Sequence, residues 1–204
     1  MAERVAASRL VTSRSSLSNP DLAERAGLGV RVFSFLLDSL VLFAFTMLFA
    51  TAAFLDIFFR SDSGKSNPSD AAIWTGVAVL VAAVPCWLVF NLFLGARRGQ
   101  TVGQYVLGLR VRREDGRAPG IARLVLYWLA LHPVLFHPLL TLFWGLLAYV
   151  SLSLSGSPTL VLGSLFVALL SLVGPIVALI SISADAGRRG LHDRVAGVVV
   201  LKLE

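Results

Sequence analysis

Arg31 and Asp38 stand seven residues apart at the head of a long apolar run, LGVRVFSFLLDSLVLFAFTMLFATAAFLD, from Leu28 to Asp56. On a helix that spacing places the two side chains about 20° apart on one face and ~10 Å apart along the axis, with Ser34 near the same face. The separation is long for direct contact and suits one bridging group or a water. A charged, unpaired carboxylate at that depth costs on the order of 2–3 kcal/mol. Asp38 must therefore face protein, and must either find a partner or keep its proton. Two chemistries fit: an ion or proton site, or a buried ion pair that fixes helix register.

Other polar groups carry weaker signals. Asp185 and Asp193 bracket Arg188, Arg189 and His192. Arg189 and Asp193 are four apart, the spacing of an ion pair on a short surface helix; Asp193 is also free to reach arginines elsewhere, Arg31 among them. The plainer reading is a solvated interfacial cluster. His132 and His137 lie roughly 140° apart on a helix and have no nearby carboxylate or cysteine, so they read as structural or interfacial, not as metal ligands. The single cysteine, Cys86, excludes an intrachain disulfide and reads as a small buried filler. Gly99 and Gly103 in GQTVG lack the lysine and the strand-to-helix context of a phosphate loop, and are expected to permit tight turning. Hydrolase and metalloprotease signatures are absent. No enzymatic activity, cofactor or metal is expected.

The elements that position these groups are membrane helices. The chain of 204 residues is 56% hydrophobic and 15% charged, against about 25% charged for ordinary soluble domains. Apolar runs predict spans at about 30–55, 71–94, 134–150 and 159–183. Residues 1–27 read as a disordered cytoplasmic tail. Residues 95–120 form a Gly/Arg-rich cytoplasmic loop, in which Tyr105–Val111 alternates as an extended segment before an Asp115-Gly116 turn. Residues 121–131 form an interfacial helix that keeps Arg123 at the surface; one long kinked helix over 121–150 is the alternative. The tail, 184–204, ends in a β-branched run that is able to pair with the extended segment in a small cytoplasmic sheet. Ser164 and Ala168 form a small-xxx-small pair suited to close helix packing.

All Lys and Arg residues except Arg60 and Lys65 fall in the N-terminal tail and helix entrance, the central loop or the C-terminal tail. Four spans with both termini cytoplasmic satisfy the positive-inside rule. The fold class is thus an all-α, four-span membrane protein, N-in/C-in, with a short interfacial helix and a small β element. The net charge of +6 assigns the arginines to anionic lipid headgroups at the bilayer surface, not to nucleic acid.

Three stretches taken together resemble the RDD family of small integral membrane proteins: AGLGVRVFSFLLDSLVL, GQTVGQYVLGLRVRREDGRAPGIAR and RRGLHDRVAGVVVL. The second is similar to the family's Gly-x-Thr-x-Gly-Lys segment, here Gly99, Thr101 and Gly103, with its Asp-Gly turn and following arginine. Gln104 stands where many members carry lysine, and Val198 where many carry threonine. The resemblance implies that Arg31, Asp38 and Asp193 are signature residues sharing one network. It also implies a multi-pass protein of a bacterial plasma membrane. Some members look like cation/proton antiporters and others like accessory subunits. The expectation is a transport-related function, for a cation, proton or small solute, with a homo-oligomer or a larger membrane partner. A non-transporting scaffold or accessory subunit is the alternative.

Overall fold

The computed structural model describes residues 24–202, apart from the side chains of 154 and 155. Three of its helices are long and apolar enough to cross a membrane: α1 (Leu28–Arg60), α2 (Asp70–Arg98) and α6 (Pro158–Ala184). Between α2 and α6 come α3 (Val102–Val106), β1 (Leu109–Arg113), α4 (Gly120–Leu129) and α5 (Leu140–Ser155); α7 (Leu191–Ala196) and β2 (Val198–Lys202) close the described chain.

α1 and α2 run past their expected ends. Arg60 closes α1 and pairs with Asp56, one turn back, at 2.9 Å. α2 carries Arg97 and Arg98, both exposed, in its last turn, with their guanidinium groups over the rings of Phe93 and Tyr105 at 4.8 and 5.1 Å. Gly99, in the left-handed region at φ 66°, then stops the helix. The two helices cross closely at Gly76, where a Cβ would lie 2.6 Å from Ile57 Cδ1. Cys86, expected to be buried, is exposed on α2. On α6, Ser164 and Ala168 belong to a longer buried stripe of small residues with Ser171, Gly174 and Ala178, which lets α5 and the turn before it pack closely.

The third apolar run departs most from expectation. Its helix starts at Leu140, not at 134, because residues 131–139 form a chain of turns. Pro133 and Pro138 cannot donate backbone hydrogen bonds. In each His-Pro pair the imidazole Nδ1 instead accepts the N–H two residues on: Val134 N to His132 and Leu139 N to His137, both at 3.1 Å. α4 covers most of the expected interfacial helix, so the 121–150 region is broken and not one kinked rod.

The polar parts assemble into one cap. β1 and β2 pair antiparallel with Val111 opposite Val200, the sheet expected from β propensity. The extended segment starts later than read, however: residues 102–106 form α3, and the strand is Leu109–Arg113. The alternation survives in the strand, with Leu109 and Val111 buried. They join Tyr127 and Trp128 of α4 and Val198 and Val200 of β2 in one core. The expected disordered tail falls mainly on residues 1–23, outside the described residues. Its last part, 24–27, belongs to the fold: Lys202 N donates to Glu24 O at 2.8 Å and Ala26 N to Val200 O at 2.9 Å. β2 offers a free edge there, and an unpaired edge takes a neighbouring backbone.

Candidate functional site

Asp38 is buried in α1 and is held by the GQTVG loop. Thr101 Oγ1 donates to Asp38 Oδ2 at 2.6 Å, and Gly103 N–H donates to Oδ1 at 2.7 Å. The loop is built for that grip. Gly99 turns the chain out of α2. Thr101 caps α3, its hydroxyl accepting Gln104 N–H while Gln104 Oε1 accepts Thr101 N–H. Gly103 lets the loop lie against α1, since a Cβ there would collide with the Ser34 carbonyl. Among the described residues no ion pair reaches Asp38.

Arg31 pairs elsewhere. Its Nη1 lies 2.5 Å from Asp193 Oδ2, with the carboxylate fully buried and the arginine side chain 10% exposed. Asp193 Oδ2 also accepts Gly190 N–H at 2.8 Å, which caps the start of α7. The expected shared network is therefore two separate contacts on one face of α1. Asp193 takes the arginine elsewhere and not Arg189, which bonds Glu114 at 2.7 Å and lies 3.5 Å from Asp185. Arg189 N–H also holds the Asp185 carboxyl below the usual carboxylate range. Arg188 adopts a left-handed φ of 54° in the turn before α7. Arg123 donates to the Ala196 and Gly197 carbonyls at 3.2 and 3.3 Å, capping the end of α7.

Aromatic rings enclose the ion pair. Tyr127, His132 and His192 sit with centroids 4.2 to 5.0 Å apart. His132 Nδ1 accepts a backbone N–H, so the neutral ring carries its proton on Nε2. His192 Nε2 stands 3.6 Å from Asp193 Oδ1, beyond hydrogen-bond reach. Burial pushes the His192 imidazole below the ordinary histidine value; Asp193 opposes this, and Arg31 adds to it. The unfolded chain then binds protons first, so stability is full above about pH 6.5 and falls as pH drops through that value. The melting temperature of the purified protein should fall between about pH 7 and 5, and His192→Gln should flatten part of that fall. An identical slope in the variant contradicts the assignment.

Arg31, Ser34, Asp38 and His192 all border one cavity of about 210 Å³. Its walls are mostly apolar and aromatic, from α1, α6 and the 131–139 turn, with Trp87 of α2 and residues of the cap including Gln104 and Tyr127. Leu36 of α1 and Leu179 of α6, both exposed, are among the residues that line it. Asp185, Arg188, Arg189, Gly99, Thr101, Gly103 and Arg123 do not border it.

A family model described as the RDD family matches residues 25–197. The chain belongs to the RDD family. Neither the curated proteins nor the solved structures yield a match. With its long apolar helices, this RDD protein is an integral membrane protein. Of the residues its motifs singled out, Arg31 and Asp193 bond each other, and Asp38 bonds Thr101 and Gly103. Reading the sequence missed Gln104, Tyr127, His132 and His137 as cavity walls. The repeated His-Pro pair was the available signal: a histidine whose following proline stops a helix is free to turn inward.

Proposed function

We propose that this RDD protein has a transport-related function, carrying a cation, proton or small solute through the cavity that Asp38 borders. One observation carries the reading. A carboxylate in an apolar helix has two neutral donors, no cationic partner among the described residues and a cavity beside it. Such a group is costly in a membrane and marks a site by default. Arg31 and Asp193 neutralise each other and fix the wall beside it.

The topology proposed is four crossings with both termini cytoplasmic in a bacterial plasma membrane. The arginine-rich segments around β1 and α7 meet in one cap, which suits the cytoplasmic side. α5 is 16 residues, about 24 Å of helix, and with the preceding turn completes the third crossing. α4 lies at the interface, near anionic headgroups. Four crossings are few for alternating access, so a homo-oligomer is part of the reading.

Reconstituted into liposomes with an imposed pH gradient, the wild type should show cation-dependent dissipation of the gradient. Asp38→Asn should lower the rate at least tenfold at equal incorporation. Unchanged flux removes the proposal, and stable co-purification of a flux-silent protein with a larger membrane complex would point to an accessory role.

A further inference from the structure

We propose that the cavity beside Asp38 takes a small organic cation, a protonated or quaternary amine, in preference to a bare metal ion. This rests on the transport reading of the same cavity and narrows its ligand.

Charge comes first. Asp193 neutralises the wall residue Arg31, and Asp38 is the one carboxylate among the described residues that line the cavity. The site therefore suits a single positive charge. The walls then choose its kind. Phe35, Trp87, Tyr127 and His137 present rings to a space of about 210 Å³, and ring faces attract a desolvated ammonium. A hard metal ion instead needs about six oxygen ligands. Both Asp38 oxygens already accept hydrogen bonds, and no group of three His, Cys, Asp or Glu converges among the described residues. Trp87 adds a second mark. It is 2% exposed, and its indole N–H has no partner among the described residues. That donor suits a hydroxyl or carbonyl oxygen on the same ligand. Leu36 and Leu179 line the cavity and are exposed on the apolar surface, which suits an amphiphilic molecule.

The test is calorimetric titration of the full purified chain with tetramethylammonium and with choline, against sodium chloride at matched ionic strength. Saturable binding is expected for both ammonium probes and not for sodium. Asp38→Asn should weaken binding at least tenfold. Phe35 takes no part in the bonds that hold Asp38, so Phe35→Leu keeps an apolar side chain at the wall and should weaken binding at least threefold. The proposal is overturned if neither probe binds saturably, if both variants bind like wild type, or if sodium displaces the probes. Asp38-dependent sodium flux without ammonium binding overturns this inference and leaves the transport reading in place. Ammonium binding that needs Asp38, without any flux, does the reverse.

Discussion

Asp193→Ala should lower unfolding stability by about 3–5 kcal/mol, the cost of removing one partner from a buried ion pair. The carboxylate is fully buried and the Arg31 side chain is 10% exposed, so the variant leaves a largely buried guanidinium stranded with the Ala26 carbonyl but no counter-charge. It also releases Gly190 N–H, the first donor of α7. Asp193→Asn separates the two losses: an amide oxygen still accepts from Gly190 but no longer neutralises Arg31. Arg31→Met combined with Asp193→Leu should recover much of the loss, because removing both charges removes the stranding. Unfolding in detergent, followed by circular dichroism, reads all four proteins. A single variant within about 1 kcal/mol of wild type would mean that Arg31 finds water or another acceptor, contrary to the burial seen.

The helices that cross the apolar layer were legible because hydropathy alone specifies them. Nothing in lipid satisfies a bare backbone, so a long apolar run must be helical. Their ends were less legible. Arg97 and Arg98 read as loop by charge, yet they finish α2, where their guanidinium groups lie over the Phe93 and Tyr105 rings on the exposed side of a helix still in register. Residues 131–139 were misread for the opposite reason. They are apolar enough to span, but two prolines withdraw donors and two histidines offer acceptors in place of helical carbonyls.

At the site, residue types were legible and the Arg31–Asp193 pairing stood among the options, but the partners of Asp38 were not legible. Asp38 stood out because its surroundings are apolar, and Arg31 because it shares its helix face. Direct geometry along α1 then suggested a bridged pair. The structure instead answers each from a distant segment: Asp38 from a loop 63 residues on, Arg31 from the short helix α7, 162 residues on. Spacing within one helix cannot reveal which distant loop approaches it. The glycines of GQTVG held that information, since a residue without a side chain marks where another backbone comes close.

Gly103→Ala follows from that close approach and should cost about 3–5 kcal/mol, although alanine is the better helix former. By propensity alone the change in α3 would be worth up to about 1 kcal/mol in the stabilising direction. The added methyl would strike the Ser34 carbonyl and lie 3.0 Å from Asp38 Cγ and Oδ2. Backbone cannot swing aside as a flexible side chain does, so α1 and the loop must part. Parting them stretches the Gly103 and Thr101 bonds to the carboxylate together, each worth about 1.5–3 kcal/mol for a charged acceptor. Gly145→Ala and Gly163→Ala are the controls, because a Cβ at either meets nothing within 4 Å. They should match or exceed wild-type stability in the same unfolding assay. If Gly103→Ala melts with the controls, the loop does not grip Asp38 as described. Thr101→Val tests the grip without adding bulk: it keeps the shape, removes one donor from the carboxylate and uncaps α3, and should lie between wild type and Gly103→Ala.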